Sequence, residues 1–123
     1  MHIHGIIPPV ATPMQANEDL DLPRLRWFLD HLIKNGVHGI FVLGTNSEFY
    51  ALDEREKQEV IATAVAHVNK RVPVYAGTGA ETTREVVRLT KYGVMTDTPS
   101  APSRSAIFVN RTASRVVSAP VPA

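Results

Sequence analysis

The chain has 123 residues, enough for one ordinary domain. Its 13 Lys+Arg against 12 Asp+Glu leave a net charge of +1, with no electrostatic footprint for nucleic acid or an anionic membrane. It has no cysteine, which excludes disulfides, thiolate nucleophiles and Cys-built zinc sites.

The opening MHIHGIIPPVATP is interrupted by Pro8 and Pro9 and lacks the form of a signal peptide. No apolar run approaches the ~18 residues of a membrane span, so a soluble, cytoplasmic protein is expected. The first apolar run is Ile6 to Ala11, followed by a turn-rich stretch from Met14 to Asp21. Leu22 to Asn35 reads as a helix: Asp21 caps it, Pro23 suits its first turn, Leu25, Phe28, Leu29, Leu32 and Ile33 share a face, and Gly36 stops it. Val37 to Leu43 is apolar on both faces apart from His38, the pattern of a central parallel strand.

That strand ends in Gly44-Thr-Asn-Ser-Glu48. Asp53 with Glu56 then forms a capping-box pair, and Val60, Ile61, Ala64, Val65 and Val68 make the buried stripe of a second helix, with Lys70 and Arg71 at its C-terminal end. A third strand, Val72 to Ala76, ends in Gly77-Thr-Gly79, and Thr82 with Glu85 opens a third helix carrying Val86, Val87 and Leu89. Gly44-Thr45-x-x-Glu48 and Gly77-Thr78-x-x-Glu81 lie 33 residues apart, each after a strand and before a helix. Ankyrin repeats share the period, but they are helical pairs, whereas each unit here begins with a β-rich run. Three successive βα units with right-handed crossovers are the simpler reading, and the period alone leaves open sheet and closed barrel undecided. The last quarter differs in kind: Val94 to Ala123 contains one acidic residue, Asp97, and no lysine, and Thr96 to Ser105 has linker composition. Only Ala106 to Asn110 and Val116 to Val117 are apolar enough there to add to a core.

Strand ends of this kind are where α/β proteins place their chemistry. Thr45, Asn46 and Ser47 offer hydroxyls, an amide and backbone N–H groups suited to a carboxylate or phosphate, although such residues also serve simply as turn and cap partners. Glu48 suits an acid or base, or a structural tie. Gly77-Thr-Gly79 completes neither a dinucleotide fingerprint, which needs glycine at Thr82, nor a P-loop. His2 and His4 could form an adventitious metal pair, while His31, His38 and His67 are scattered; no ligand spacing is recognisable, so neither a metal nor another cofactor is expected.

Taken in order, Gly5-Ile-Ile-Pro-Pro-Val-Ala-Thr-Pro13, Gly39-Ile-Phe-Val-Leu-Gly-Thr-Asn-Ser-Glu-Phe-Tyr50, Leu52 with Glu54, Arg55 and Glu56, and Pro73-Val-Tyr-Ala-Gly-Thr-Gly79 resemble the dihydrodipicolinate synthase and N-acetylneuraminate lyase family from about residue 5 to about residue 93. The resemblance implies an α/β fold, about three βα units from the N-terminal part of a (β/α)8 TIM barrel. It also implies class I aldolase-like chemistry, in which a lysine forms a Schiff base with pyruvate or a related 2-keto acid. By the same resemblance Thr45 matches the hydroxyl of the family's proton relay, and Asn46 with the neighbouring backbone, Ser47 included, matches the site gripping the keto acid's carboxylate. Ser47 stands where the family usually has glycine, which would crowd the loop if the backbone there needs positive φ. Glu48 matches a supporting residue, and the Glu-Phe-Tyr continuation is closer to members acting on sugar-derived keto acids.

Such a barrel typically needs ~250 residues, so the chain would cover about half. The Schiff-base lysine, the relay tyrosine and the substrate-binding arginine of the later strands are absent. Lys34, Lys57, Lys70 and Lys91 all fall on expected helices or their ends. We therefore expect residues 1–93 to form a partial barrel and 94–123 an irregular tail, from a disturbed reading frame that returns briefly to register near residue 107. The expected partner is a small 2-keto acid, with no nucleic acid and no membrane. Exposed strand edges favour homo-oligomers, pairing with a full-length relative, or aggregation.

Overall fold

The computed structural model describes residues 4–79, 82–95, 106–109 and 116–117. The sequence's helices form where capping and periodicity place them. Helix α1 is Leu22–Lys34, with the Asp21 side chain accepting from Arg24 N–H at 3.0 Å. Helix α2 is Glu54–Val68, opened by a reciprocal box: Asp53 accepts from Glu56 N–H (2.7 Å) while Glu56 accepts from Asp53 N–H (2.8 Å). Helix α3 is Thr83–Met95, whose first turn is capped by Thr82 through Glu85 N–H at 3.3 Å.

The strands are shorter than the apolar runs. Strand β1 is Ile40–Val42 and β2 is Val74–Gly77, paired in parallel with Ile40 opposite Val74 and Val42 opposite Ala76. Proline explains the trimming: Pro73 lacks the N–H that would extend β2 backwards, and Pro8 withholds a donor from the other side of β1. The Ile6 to Ala11 run accordingly makes one bridge, Pro9 with Phe41, and not a regular strand. Two apolar runs of the C-terminal region complete the sheet. Strand β3, Ala106–Val109, adds parallel to β2, and β4, Val116–Val117, adds antiparallel to β3, giving the order β1-β2-β3-β4. Most of the expected irregular tail, and Glu81 of the repeat, lie outside the described residues.

Strand parity sorts the sheet into two faces. Ile40, Val42, Val74 and Ala76 share a buried cluster with Leu25 and Leu29 of α1 and Val60, Ile61, Ala64 and Val68 of α2. On the other face Tyr75, 5% exposed, lies so close over Gly39 that a Cβ there would stand 2.9 Å from its Cε2 and 3.2 Å from Ile7 Cγ1. The apolar residues of α3 divide. Val87 is 47% exposed while Val86 and Leu89 are buried, because one residue is a 100° turn of the helix and carries Val87 off the inward stripe. Among the described residues no helix is long and apolar enough to cross a membrane.

Helices α1 and α2 are clasped by Asp30, whose Oδ1 meets Arg71 Nη2 at 2.8 Å and whose Oδ2 meets His67 Nε2 at 2.9 Å. Arg71 is itself fixed by donating to Val68 O and His67 O. The bonds from Arg71 and then His67 hold the Asp30 carboxyl below its ordinary value. A carboxylate with a lowered folded pKa favours the folded state above its unfolded value, and the advantage vanishes as pH falls through the folded one. Urea denaturation at a series of pH values should show wild type more stable than Asp30→Asn at neutral pH, the two converging in strong acid.

Candidate active site

The site proposed from sequence lies at the C-terminal end of β1. Leu43, buried and directly after the strand, has φ 56°, a left-handed conformation that is strained for a bulky residue. The turn sends the Leu43 carbonyl against Gly77 at the end of β2, where an added Cβ would collide with it. Gly77 is therefore glycine because a neighbouring backbone occupies its side-chain space.

Beyond Leu43 the chain makes two single 3-10 turns, Thr45–Ser47 and Phe49–Ala51. Glu48 joins them in left-handed conformation (φ 55°), its N–H donating to Thr45 O and its carbonyl accepting from Ala51 N–H at 2.8 Å. Glu48 is exposed, so its backbone performs the structural tying that its carboxylate was expected to do. Ser47 is 2% exposed, and Gly44 O accepts both its N–H (3.0 Å) and its hydroxyl (2.6 Å). It does not have positive φ, so the crowding anticipated for a serine here does not arise.

The structure thus separates the three expected residues. Thr45 and Asn46 are exposed at the strand end, and Ser47 is turned inward as a brace. Asn46 Nδ2 donates to Pro9 O at 3.2 Å, which ties the loop to the N-terminal segment, and its Oδ1 would stand 3.3 Å from a Cβ at Gly44. The amide expected to grip a carboxylate therefore spends one of its two hydrogens on protein.

The loop after β2 meets the first one through Phe49, whose Cζ would stand 3.3 Å from a Cβ at Gly79. Lys57 Nζ lies 5.9 Å from the centroid of that Phe49 ring, so this lysine sits at the loop end of α2 and closer to the site than its helical position suggested. Thr78 is fully buried and its hydroxyl has no partner among the described residues. Nothing in its local composition marks it out; the internal repeat, which equates it with Thr45, was the available signal. The two threonines diverge because the left-handed step at Leu43 has no counterpart before Gly77. No group of three or more metal-ligating side chains occurs among the described residues.

Gly77→Ala should move the Leu43 carbonyl and with it the base of the loop. Urea denaturation should read a loss of ~1–3 kcal/mol, the range typical of forced overpacking.

A profile of the Dihydrodipicolinate synthetase family matches residues 2–96. YagE of Escherichia coli K12 is 43% identical over 88 residues, 72% of this chain and 29% of YagE. The 4-hydroxy-tetrahydrodipicolinate synthase of Psychrobacter sp. PRwf-1 gives the same identity over 88 residues, again 72% of this chain and 29% of the relative. The crystal structure of YagE in complex with pyruvate superposes with a TM-score of 0.73 at 41% identity, over 75% of this chain and 31% of that one. Dihydrodipicolinate synthase from Aquifex aeolicus gives 0.74 at 32% identity, over 77% and 32%. The match thus spans under a third of each relative, and the described βα units are part of a TIM barrel. The sequence motifs, the geometry of the β1 loop and these matches agree, and the chain belongs to the dihydrodipicolinate synthetase family.

Proposed function

We propose that these residues supply the β1-end loop of a Schiff-base lyase or synthase acting on pyruvate or a related 2-keto acid. The observation that carries this reading is the loop itself: Gly44 to Glu48 is braced from within by Ser47, and Thr45 and Asn46 are left exposed at the end of a parallel strand. Thr45 contributes the proton-relay hydroxyl, and Asn46 with the adjoining backbone receives the carboxylate. Ser47 acts on the ligand only through the shape it gives the loop. That one solved relative is described in complex with pyruvate supports the substrate class. YagE's name refers to 2-dehydro-3-deoxy-D-gluconate, a sugar-derived keto acid, which supports the same class more broadly.

Schiff-base chemistry needs a nucleophilic amine. Lys34 ends α1, Lys57 lies in α2, Lys70 follows it and Lys91 lies in α3, so no lysine within the 123 residues stands at a strand end. These residues therefore bind but do not condense a keto acid by themselves. Incubation with pyruvate and borohydride followed by mass spectrometry should give no adduct, and a stable adduct on any lysine, Lys57 first among them, would refute this.

A second reading, a non-catalytic assembly module, is favoured by the apolar surface left uncovered. Ile6 is 66% exposed, Trp27 62% and Val87 47%, on three different elements. Light scattering should find dimers or larger species, whereas a compact monomer would rule this reading out.

A further inference from the structure

The N-terminal segment is held to β1 by three backbone bonds: His38 N–H to Ile6 O (2.8 Å), Phe41 N–H to Pro8 O (3.1 Å) and Val10 N–H to Phe41 O (2.8 Å). One donor that a regular strand would add toward β1 is missing because residue 8 is proline; residue 9 lies between the two that bond Phe41, so its nitrogen faces the other way. The N–H of Ile6 does not reach a carbonyl. It donates to Nδ1 of His38 at 3.1 Å, so a side chain takes over part of the pairing.

The imidazole is seated for this role. Gly5 has φ 74°, and a Cβ on it would collide with Cγ and Nδ1 of His38, so the ring lies directly against the glycine backbone. His4 meets the ring edge-on, with centroids 5.2 Å apart and planes at 65°.

We propose that His38 is an acid-released latch on the N-terminal strand: its neutral Nδ1 holds the Ile6 end against β1, and protonation of that atom lets the end go. An imidazole that accepts at Nδ1 carries its hydrogen on Nε2. Adding a solvent proton forms an N–H at Nδ1, which removes the acceptor and sets two donors facing each other. His4 is the titratable side chain in ring contact with His38. Release is local. The bonds of Phe41 and Val10 do not involve the ring, and Asn46 keeps hold of Pro9 O at the other end. This latch is independent of what the β1 loop binds.

The test is amide hydrogen exchange of the 123-residue chain by NMR, corrected for the intrinsic pH dependence of exchange, between about pH 8 and about pH 5, a range that spans histidine titration. Ile6 should lose roughly fivefold of its protection relative to Val10 in acid, the worth of about one net hydrogen bond. His38→Asn keeps an acceptor near the Nδ1 position and cannot titrate, so Ile6 should stay protected at both pH values. His4→Asn should retain the acid loss. Equal Ile6 protection at both pH values, or an acid loss that persists in His38→Asn, would overturn the proposal. If His38→Asn does not fold, the imidazole nitrogen shifts of the wild-type chain decide. An accepting Nδ1 that becomes imidazolium in step with Ile6 exchange supports the latch, and a neutral ring carrying its hydrogen on Nδ1 refutes it.

Discussion

The end of one strand leans on the end of the next: the Leu43 carbonyl fills the space that any side chain at Gly77 would need. Much of the candidate site follows from this contact. It fixes the left-handed turn at Leu43, and that turn sets the direction of the chain through Gly44 to Glu48. The strain at Leu43 persists because both sides are packed. Leu43 belongs to the cluster formed by α1, α2 and the sheet, and Ala76, beside Gly77, belongs to the same cluster. The site loop is therefore as firm as the hydrophobic core beneath it.

The core is continuous and the edges are not. Helices α1 and α2 cover one face of the sheet with aliphatic side chains and are clasped to each other through Asp30, Arg71 and His67. On the N-terminal side, Pro8 removes a ladder donor, and side chains add bonds at both ends of the segment: His38 accepts from Ile6 N–H and Asn46 donates to Pro9 O. Asn46 thus belongs to two structures at once, the edge and the loop. A residue that reads from its motif as a ligand contact is also an architectural tie.

Helix type, caps and stripes were legible because each rests on local rules. Asp21, Asp53 with Glu56, and Thr82 with Glu85 cap as their spacing predicts, and the α1 and α2 stripes are buried or packed against the core. Strand lengths were less legible, since they depend on where proline removes a ladder donor: Pro73 inside the β2 run itself, and Pro8 in the segment across from β1, which the β1 sequence does not contain. Which valine of α3 faces inward was not legible from apolarity: Val86 is buried and its neighbour Val87 is exposed, because inwardness is set by angle and not by adjacency. At the site, the sequence located Thr45, Asn46 and Ser47 together but could not sort them. The sorting comes from the backbone step at Leu43, which a leucine does not advertise. Ala106–Val109 was legible as apolarity and as a return to the family's register near residue 107, but its parallel pairing with β2 was not.

Ser47 has one more consequence. With its hydroxyl and amide both committed to Gly44 O, the loop loses its conformational freedom when the chain folds. A glycine at the same place would leave part of that ordering to the moment a ligand arrives, where it would weaken association. The serine shifts this entropic cost from recognition to folding. A loop prepared in this way favours whatever matches its fixed shape, and it gives up the ability to remould itself around what does not.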